Sequence, residues 1–167
     1  MIVGLLAVAA VIVAALIVKR VPVGSEAVRV TWSGNLVLYD SGYHFIPPGT
    51  RDFIVYPTGD VRCRYPKYGS AEVSTETGKP LDVAIEVELD VPPGSSRVIY
   101  ERFSENFEAA VRRLIQAAVE TEAAGAAPNV DRHEFLENVA KDVKAELEGL
   151  GVSVTSYSMP IWNREAE

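Results

Sequence analysis

The sequence is poor in the residues that enzyme and metal chemistry most often use. Its one cysteine, Cys63, has no partner for an intrachain disulfide and leaves the redox compartment undecided. Its two histidines, His44 and His133, lie far apart along the chain, so a catalytic zinc with three protein ligands has little to draw on. No Gly-x-Ser-x-Gly elbow, Walker sequence, glycine-rich phosphate loop or dinucleotide-binding fingerprint occurs. Positive charge is also in deficit. Sixteen Lys and Arg stand against 23 Asp and Glu, a net charge of −7, which argues against broad nucleic-acid binding because that needs a basic footprint. Residues 1–18 carry no charged side chain at all.

That uncharged stretch, MIVGLLAVAAVIVAALIV, is the first positive feature, and Lys19 and Arg20 follow it at once. As a helix it would rise roughly 27 Å, close to the ~30 Å hydrocarbon core of a bilayer. A cleaved secretory signal would carry its basic residues before the apolar run, not after it. The expectation is an uncleaved transmembrane anchor over 1–18, a domain over 19–162 and a short tail over 163–167. Lys19 and Arg20 bias the domain toward the cytoplasmic side of a cell membrane. Ala10 and Ala14 form a small-x-x-x-small pair within the span, a spacing that chance explains as well in so alanine-rich a run.

The rest of the chain reads first as strands. VPVGSEAVRVTW (21–32), LVLYD (36–40) and RDFIVYP (51–57) have β-rich composition, with SGN (33–35) as a turn. The clearest element is KPLDVAIEVELDV (79–91). There Leu81, Val83, Ile85, Val87, Leu89 and Val91 alternate with Asp82, Ala84, Glu86, Glu88 and Asp90, giving one packed face and one wet face. VPPGSS (91–96) breaks the sheet. A helix is expected from about Ser104, with Phe107, Val111, Leu114, Ile115 and Ala118 on one face and a Glu108–Arg112 pair beside them. GAAPN (125–129) ends it. Asp131 is a good N-cap for a second helix, with Glu134 three residues on, and Phe135, Leu136, Val139, Val143, Leu147 and Leu150 as its apolar stripe. VSVTSYSMPIW (152–162) returns to strand. The order gives an α+β domain, an antiparallel sheet with helices on one face.

These segments, in this order, resemble the SPFH or band 7 family of stomatins, prohibitins, flotillins and their bacterial relatives. The resemblance rests on the anchor, VPVGSEAVRV, the hairpin VLYDSGYHFIPPG, STETGKPLDVAIEVELDV, two helices and LEGLGVSVTSYSMPI, and it covers nearly the whole chain. It implies a membrane scaffold that oligomerises and organises or regulates partner membrane proteins, such as membrane proteases, NfeD-like proteins, channels or respiratory complexes. It implies that the 39–49 hairpin is structural and turns the sheet close to the membrane. Gly42 and Gly49 would supply unusual backbone angles there, and Tyr43, Phe45 and Ile46 would be core or interfacial contacts. Relatives continue into a long coiled coil, so this chain is expected to be a short form that assembles through its sheet and helix surfaces.

The remaining candidates for chemistry have plainer explanations. His133 and Glu137 in HEFLE are four apart and could share a metal on a helix, but a solvated helix start accounts for them. Cys63 lies between Arg62 and Arg64, which could lower its pKa; a strand residue between surface charges is the ordinary reading. Asp82, Glu86, Glu88 and Asp90 share a strand face that a basic surface could match, with Arg112 and Arg113 of another copy as candidates. The expectation is therefore no enzyme, no catalytic, cofactor-binding or metal residue, no small-molecule substrate and no nucleic acid. The bilayer and other protein chains are the expected partners. A small accessory subunit of a larger membrane complex is the alternative, and a membrane-tethered hydrolase is third.

Overall fold

The structure is a computed structural model and describes residues 18–126 and 130–164. The uncharged run up to residue 17, including Ala10 and Ala14, lies outside the described residues. Among those described, no helix is long and apolar enough to cross a membrane. The described residues form nine strands and three helices in an α+β fold: β1 Val18–Val21, β2 Ser25–Thr31, β3 Leu36–Tyr39, β4 Gly42–Phe45, β5 Thr50–Pro57, β6 Gly59–Tyr65, β7 Ala71–Ser74, β8 Pro80–Val91, α1 Ser96–Phe103, α2 Phe107–Gly125, α3 Arg132–Glu148 and β9 Ser153–Arg164.

The expected single sheet is instead three antiparallel sheets: β1 with β4, β3–β2–β5, and a four-stranded sheet built on β8. One side of β8 pairs first with β7 and then with β6, and the other side pairs with β9. The alternation read from the sequence holds along β8. Leu81, Val83, Ile85, Val87, Leu89 and Val91 are buried and the acidic residues between them are not, while Ala84, on the face read as wet, is buried as well. Helices α2 and α3 cover that apolar face with Phe107, Val111, Ile115, Phe135, Val139 and Leu147, all buried in one core. Each such side chain contributes about 1.5–3 kcal/mol on leaving water.

Several boundaries differ from the sequence reading. Val18, taken as the end of the apolar run, is the first residue of β1 and pairs with Phe45. The expected tail starts late as well, because Asn163 and Arg164 continue β9 opposite Asp82 and Leu81. The helix expected from Ser104 begins eight residues earlier as α1, and is then interrupted. Ser104 adopts φ 54° and ends α1, and Asn106 restarts the helix by accepting from the Ala109 N–H at 3.3 Å. The prolines and glycine of 92–94 do end β8, but the serines after them open a helix. Asp131 caps α3 as expected, accepting from the His133 N–H at 2.8 Å.

Helix α1 has no acidic residue in its first turn, and Ser95 makes no side-chain capping bond. The anion comes from another element. Glu26 of β2, 8% exposed, accepts from the Gly94 N–H at 2.7 Å and from the Ser96 hydroxyl at 2.6 Å. Its charge sits where the helix dipole favours it. A second tie runs from Tyr56 of β5, whose hydroxyl donates to the Glu105 carbonyl at 3.0 Å between α1 and α2. Burial pushes the Tyr56 phenol well above its usual range. Glu26→Ala leaves two donors without their acceptor and should cost about 2–4 kcal/mol. Glu26→Gln should cost clearly less. Chemical denaturation followed by far-UV circular dichroism measures both.

Candidate membrane-facing surface

The YDSGYHFIPPG stretch contains the whole of β4 with its flanks, and β4 pairs with β1 in the register Val18–Phe45, Lys19–His44, Arg20–Tyr43 and Val21–Gly42. Alternation sorts these residues onto two faces. Inward, Val21 is buried at 1%, and the His44 Nε2–H donates to the Asp40 carbonyl at 2.7 Å. The His44 ring also lies 4.9 Å from that of Tyr39, centre to centre. Outward, Val18 is 42% exposed, Phe45 63% and Tyr43 74%. The Arg20 guanidinium stands 5.8 Å from the Tyr43 ring centre, a cation–π contact at the edge of this apolar face. Trp32, 73% exposed, joins the far end of the segment, where its backbone N–H donates to the Gly49 carbonyl at 3.1 Å.

Gly42 carries φ 138° and Gly49 φ 88°, so both turns use conformations that L side chains avoid. Between them Ile46 is buried, which assigns it to packing, while Tyr43 and Phe45 face outward. Trp32 was not legible from sequence as part of this surface. It reads as the end of β2, and only the Gly49 contact places it beside the hairpin.

The other residues singled out from sequence do not come together. Cys63 is buried, with its thiol pushed up to about 11, first by burial and then by Glu108, against the opposing effect of Arg112. The flanking arginines do not activate it. Arg62 pairs with Glu88 at 2.6 Å, and Arg64 is the cross-strand neighbour of Glu86. His133 and Glu137 form an exposed pair at 3.2 Å. Among the described residues no group of three or more His, Cys, Asp and Glu is placed to hold a metal.

One member of the acidic row on β8, Glu88, is matched within its own sheet. Glu88 accepts from the Ser156 hydroxyl at 2.7 Å and pairs with Arg62, which together hold its carboxyl below the usual range. Arg112 and Arg113, the candidates to meet this row from another copy, are engaged inside the chain. The Arg112 Nε–H donates to the Arg64 carbonyl at 3.3 Å, and the guanidinium lies 4.0 Å from Glu108. Arg113 pairs with Glu105. Within the chain, then, neither arginine is free of a partner.

A family model described as the SPFH domain / Band 7 family matches residues 19–159. The chain belongs to the SPFH/Band 7 family, which is generally linked to membrane-associated, oligomeric and non-enzymatic scaffolds. No curated protein gives a significant match to the chain.

Two outcomes follow for these residues. Gly42→Val should lose about 1–3 kcal/mol, because valine is strained at that φ, whereas His44→Gln, which keeps a donor for the Asp40 carbonyl, should melt close to wild type. Cys63 should resist neutral thiol reagents until the chain is denatured. Its thiol ionises less readily folded than unfolded, so its contribution to stability is full below pH 9 and is lost as pH rises from about 9 to about 11. Rapid labelling of the native protein at pH 7 would contradict its burial.

Proposed function

We propose that the protein is a single-pass membrane scaffold that self-assembles and organises partner membrane proteins. In this reading residues 1–17 are the anchor and the SPFH domain faces the cytoplasm. A helix of that length rises roughly 26 Å, still within the range of a spanning segment. The observation that carries the reading is the junction at Val18. The uncharged run ends where β1 begins, and the face that β1 and β4 turn outward is apolar and aromatic. A bilayer held at that junction would take Val18, Tyr43, Phe45 and Trp32 into its headgroup layer, the region that aromatic rings favour. Family membership supports the scaffold role over catalysis. Lys19 and Arg20, directly after the run, support the cytoplasmic orientation.

The two tryptophans make this testable. Trp32 lies on the proposed contact surface, whereas Trp162 packs on Phe135 with ring centres 5.1 Å apart. In liposomes containing brominated lipid, the full chain carrying Trp162→Phe should show strong quenching of Trp32 fluorescence. The chain carrying Trp32→Phe should show little. The protein should also stay with membranes after alkaline carbonate washing, and its domain should resist protease added to intact cells. Extraction by carbonate would defeat the anchor, and digestion of the domain in intact cells the orientation. Unquenched Trp32 in an anchored chain would defeat the lipid contact alone. Purification in mild detergent with other chains at fixed stoichiometry would favour the accessory-subunit reading.

A further inference from the structure

Between α1 and the β3–β2–β5 sheet runs an open groove of about 590 Å³. Val30 of β2 and Leu36 of β3 give it an apolar floor. Arg97, Tyr100 and Glu101 of α1 line it, with Ser104 at the helix end and Arg51 of β5. Two departures from regular backbone place residues there. The β2–β5 register passes from Val30–Asp52 to Thr31–Thr50, so Arg51 is the extra residue of a bulge. A bulge re-aims the side chain it carries, and this one brings the Arg51 guanidinium within 3.3 Å of the Tyr100 hydroxyl. Ser104, at φ 54°, is the one non-glycine residue with positive φ among the described residues.

The hydrogen bonds sort the polar groups of the groove into donors and acceptors. The Arg97 Nε–H donates to Glu101 at 3.0 Å, and the Arg51 Nε–H donates to Asp52 at 3.0 Å. Anchoring through Nε leaves the terminal NH2 groups of Arg97 for another acceptor. Tyr100, 7% exposed, accepts from Arg51 and keeps its own O–H to donate. Guanidinium and hydroxyl donors together are what a phosphate takes. Glu101 accepts one N–H bond and keeps lone pairs for a further donor. The charges balance as well, since Asp52 and Glu101 offset the two arginines. A phosphate alone would face the Glu101 carboxylate with nothing to give it. A phosphate that carries an ammonium group two carbons away matches both halves, the anion on the arginines and Tyr100 and the cation on Glu101.

The groove lies beside the proposed membrane contact. Gly34 and Asn35 on its rim belong to the turn that Trp32 enters, where the Asn35 N–H donates to the Thr31 hydroxyl at 3.0 Å. Arg51 is two residues beyond Gly49, whose carbonyl accepts from the Trp32 backbone N–H. Val30 is roughly 7 Å along the chain from Trp32. A lipid seated against Trp32 can lay its headgroup in the groove.

We propose that this groove binds a phosphoethanolamine group, with its phosphate on Arg51, Arg97 and the Tyr100 hydroxyl and its ammonium on Glu101. Phosphatidylethanolamine in the adjoining leaflet and a soluble phosphoethanolamine ester carry the same group, and the place beside Trp32 favours the lipid. That choice of source rests on the membrane-contact reading, whereas the recognition of the group does not.

The test is native mass spectrometry of the full chain in mild detergent, titrated with lipids of one acyl composition. Phosphatidylethanolamine should bind about ten-fold more tightly than phosphatidylcholine, whose quaternary ammonium has no N–H, or phosphatidylglycerol, which has no ammonium. Glu101→Gln should abolish that preference, and Arg97→Gln should weaken all three lipids. Both residues are about half exposed on α1, and unchanged thermal melts would show that the fold is kept. Equal binding of the three lipids by wild type, or a preference that survives Glu101→Gln, overturns the site. Calorimetry with glycerophosphoethanolamine separates the sources. A dissociation constant equal to the lipid's assigns the soluble ester, and one at least ten-fold weaker assigns the lipid. Because binding is read in detergent, the two readings fail separately. Quenched Trp32 without the headgroup preference leaves the membrane contact standing and overturns the site, and the preference with unquenched Trp32 does the reverse.

Discussion

The constraint on which the domain most depends is the register of β8. Among the described residues it is the one strand of the large sheet that is hydrogen-bonded on both sides, to β6 and β7 along one edge and to β9 along the other. Its side chains alternate strictly, so a slip by one residue would drive Asp82, Glu86, Glu88 and Asp90 into the core and expose six apolar residues. That penalty fixes where β6, β7 and β9 lie. It also fixes the apolar platform on which α2 and α3 rest. The polar face gains from the same register, since it sets Arg62 and Ser156 on either side of Glu88.

The smaller sheets are joined to this platform by polar bonds as well as by packing. Glu26 reaches from β2 to the start of α1, and Tyr56 reaches from β5 to the bend between α1 and α2. Both bonds meet the helices at their ends, where backbone groups otherwise lack partners. Hydrophobic contact alone would hold α1 near β2 without fixing its rotation. The two directed bonds determine its angle, and with it the placement of the strands that lead back to β1 and β4.

Strong periodicity was readable in the sequence and weak periodicity was not. The period-two pattern of β8 and the apolar stripes of α2 and α3 identified those elements and their buried faces, because each runs for several turns or pleats. Short elements carried no such signal. β1, β4 and β7 are each four residues long, too short for alternation to stand out from their turns. Helix α1 was hidden behind Pro92, Pro93 and Gly94, which end a strand and precede a helix equally well. The division into three sheets was not legible either, since it depends on which short strands pair. The segment around Gly42 was recognisable as a built turn, but only the β1 register shows which of its side chains face outward. The pairing of Arg112 and Arg113 within the chain came from tertiary geometry, because Arg64 and Glu105 lie in other elements.

The Arg112 guanidinium on the Arg64 carbonyl has a consequence for how copies can add up. It occupies an acceptor on β6, the strand at the opposite edge of the sheet from β9. A unit that could join neighbours through both edges would have a valence of two and would polymerise into a continuous ribbon. A side chain seated on that carbonyl leaves one fewer acceptor for strand addition along β6, which biases growth away from that edge. On a membrane, where tethering raises local concentration, such a bias works against an open-ended aggregate.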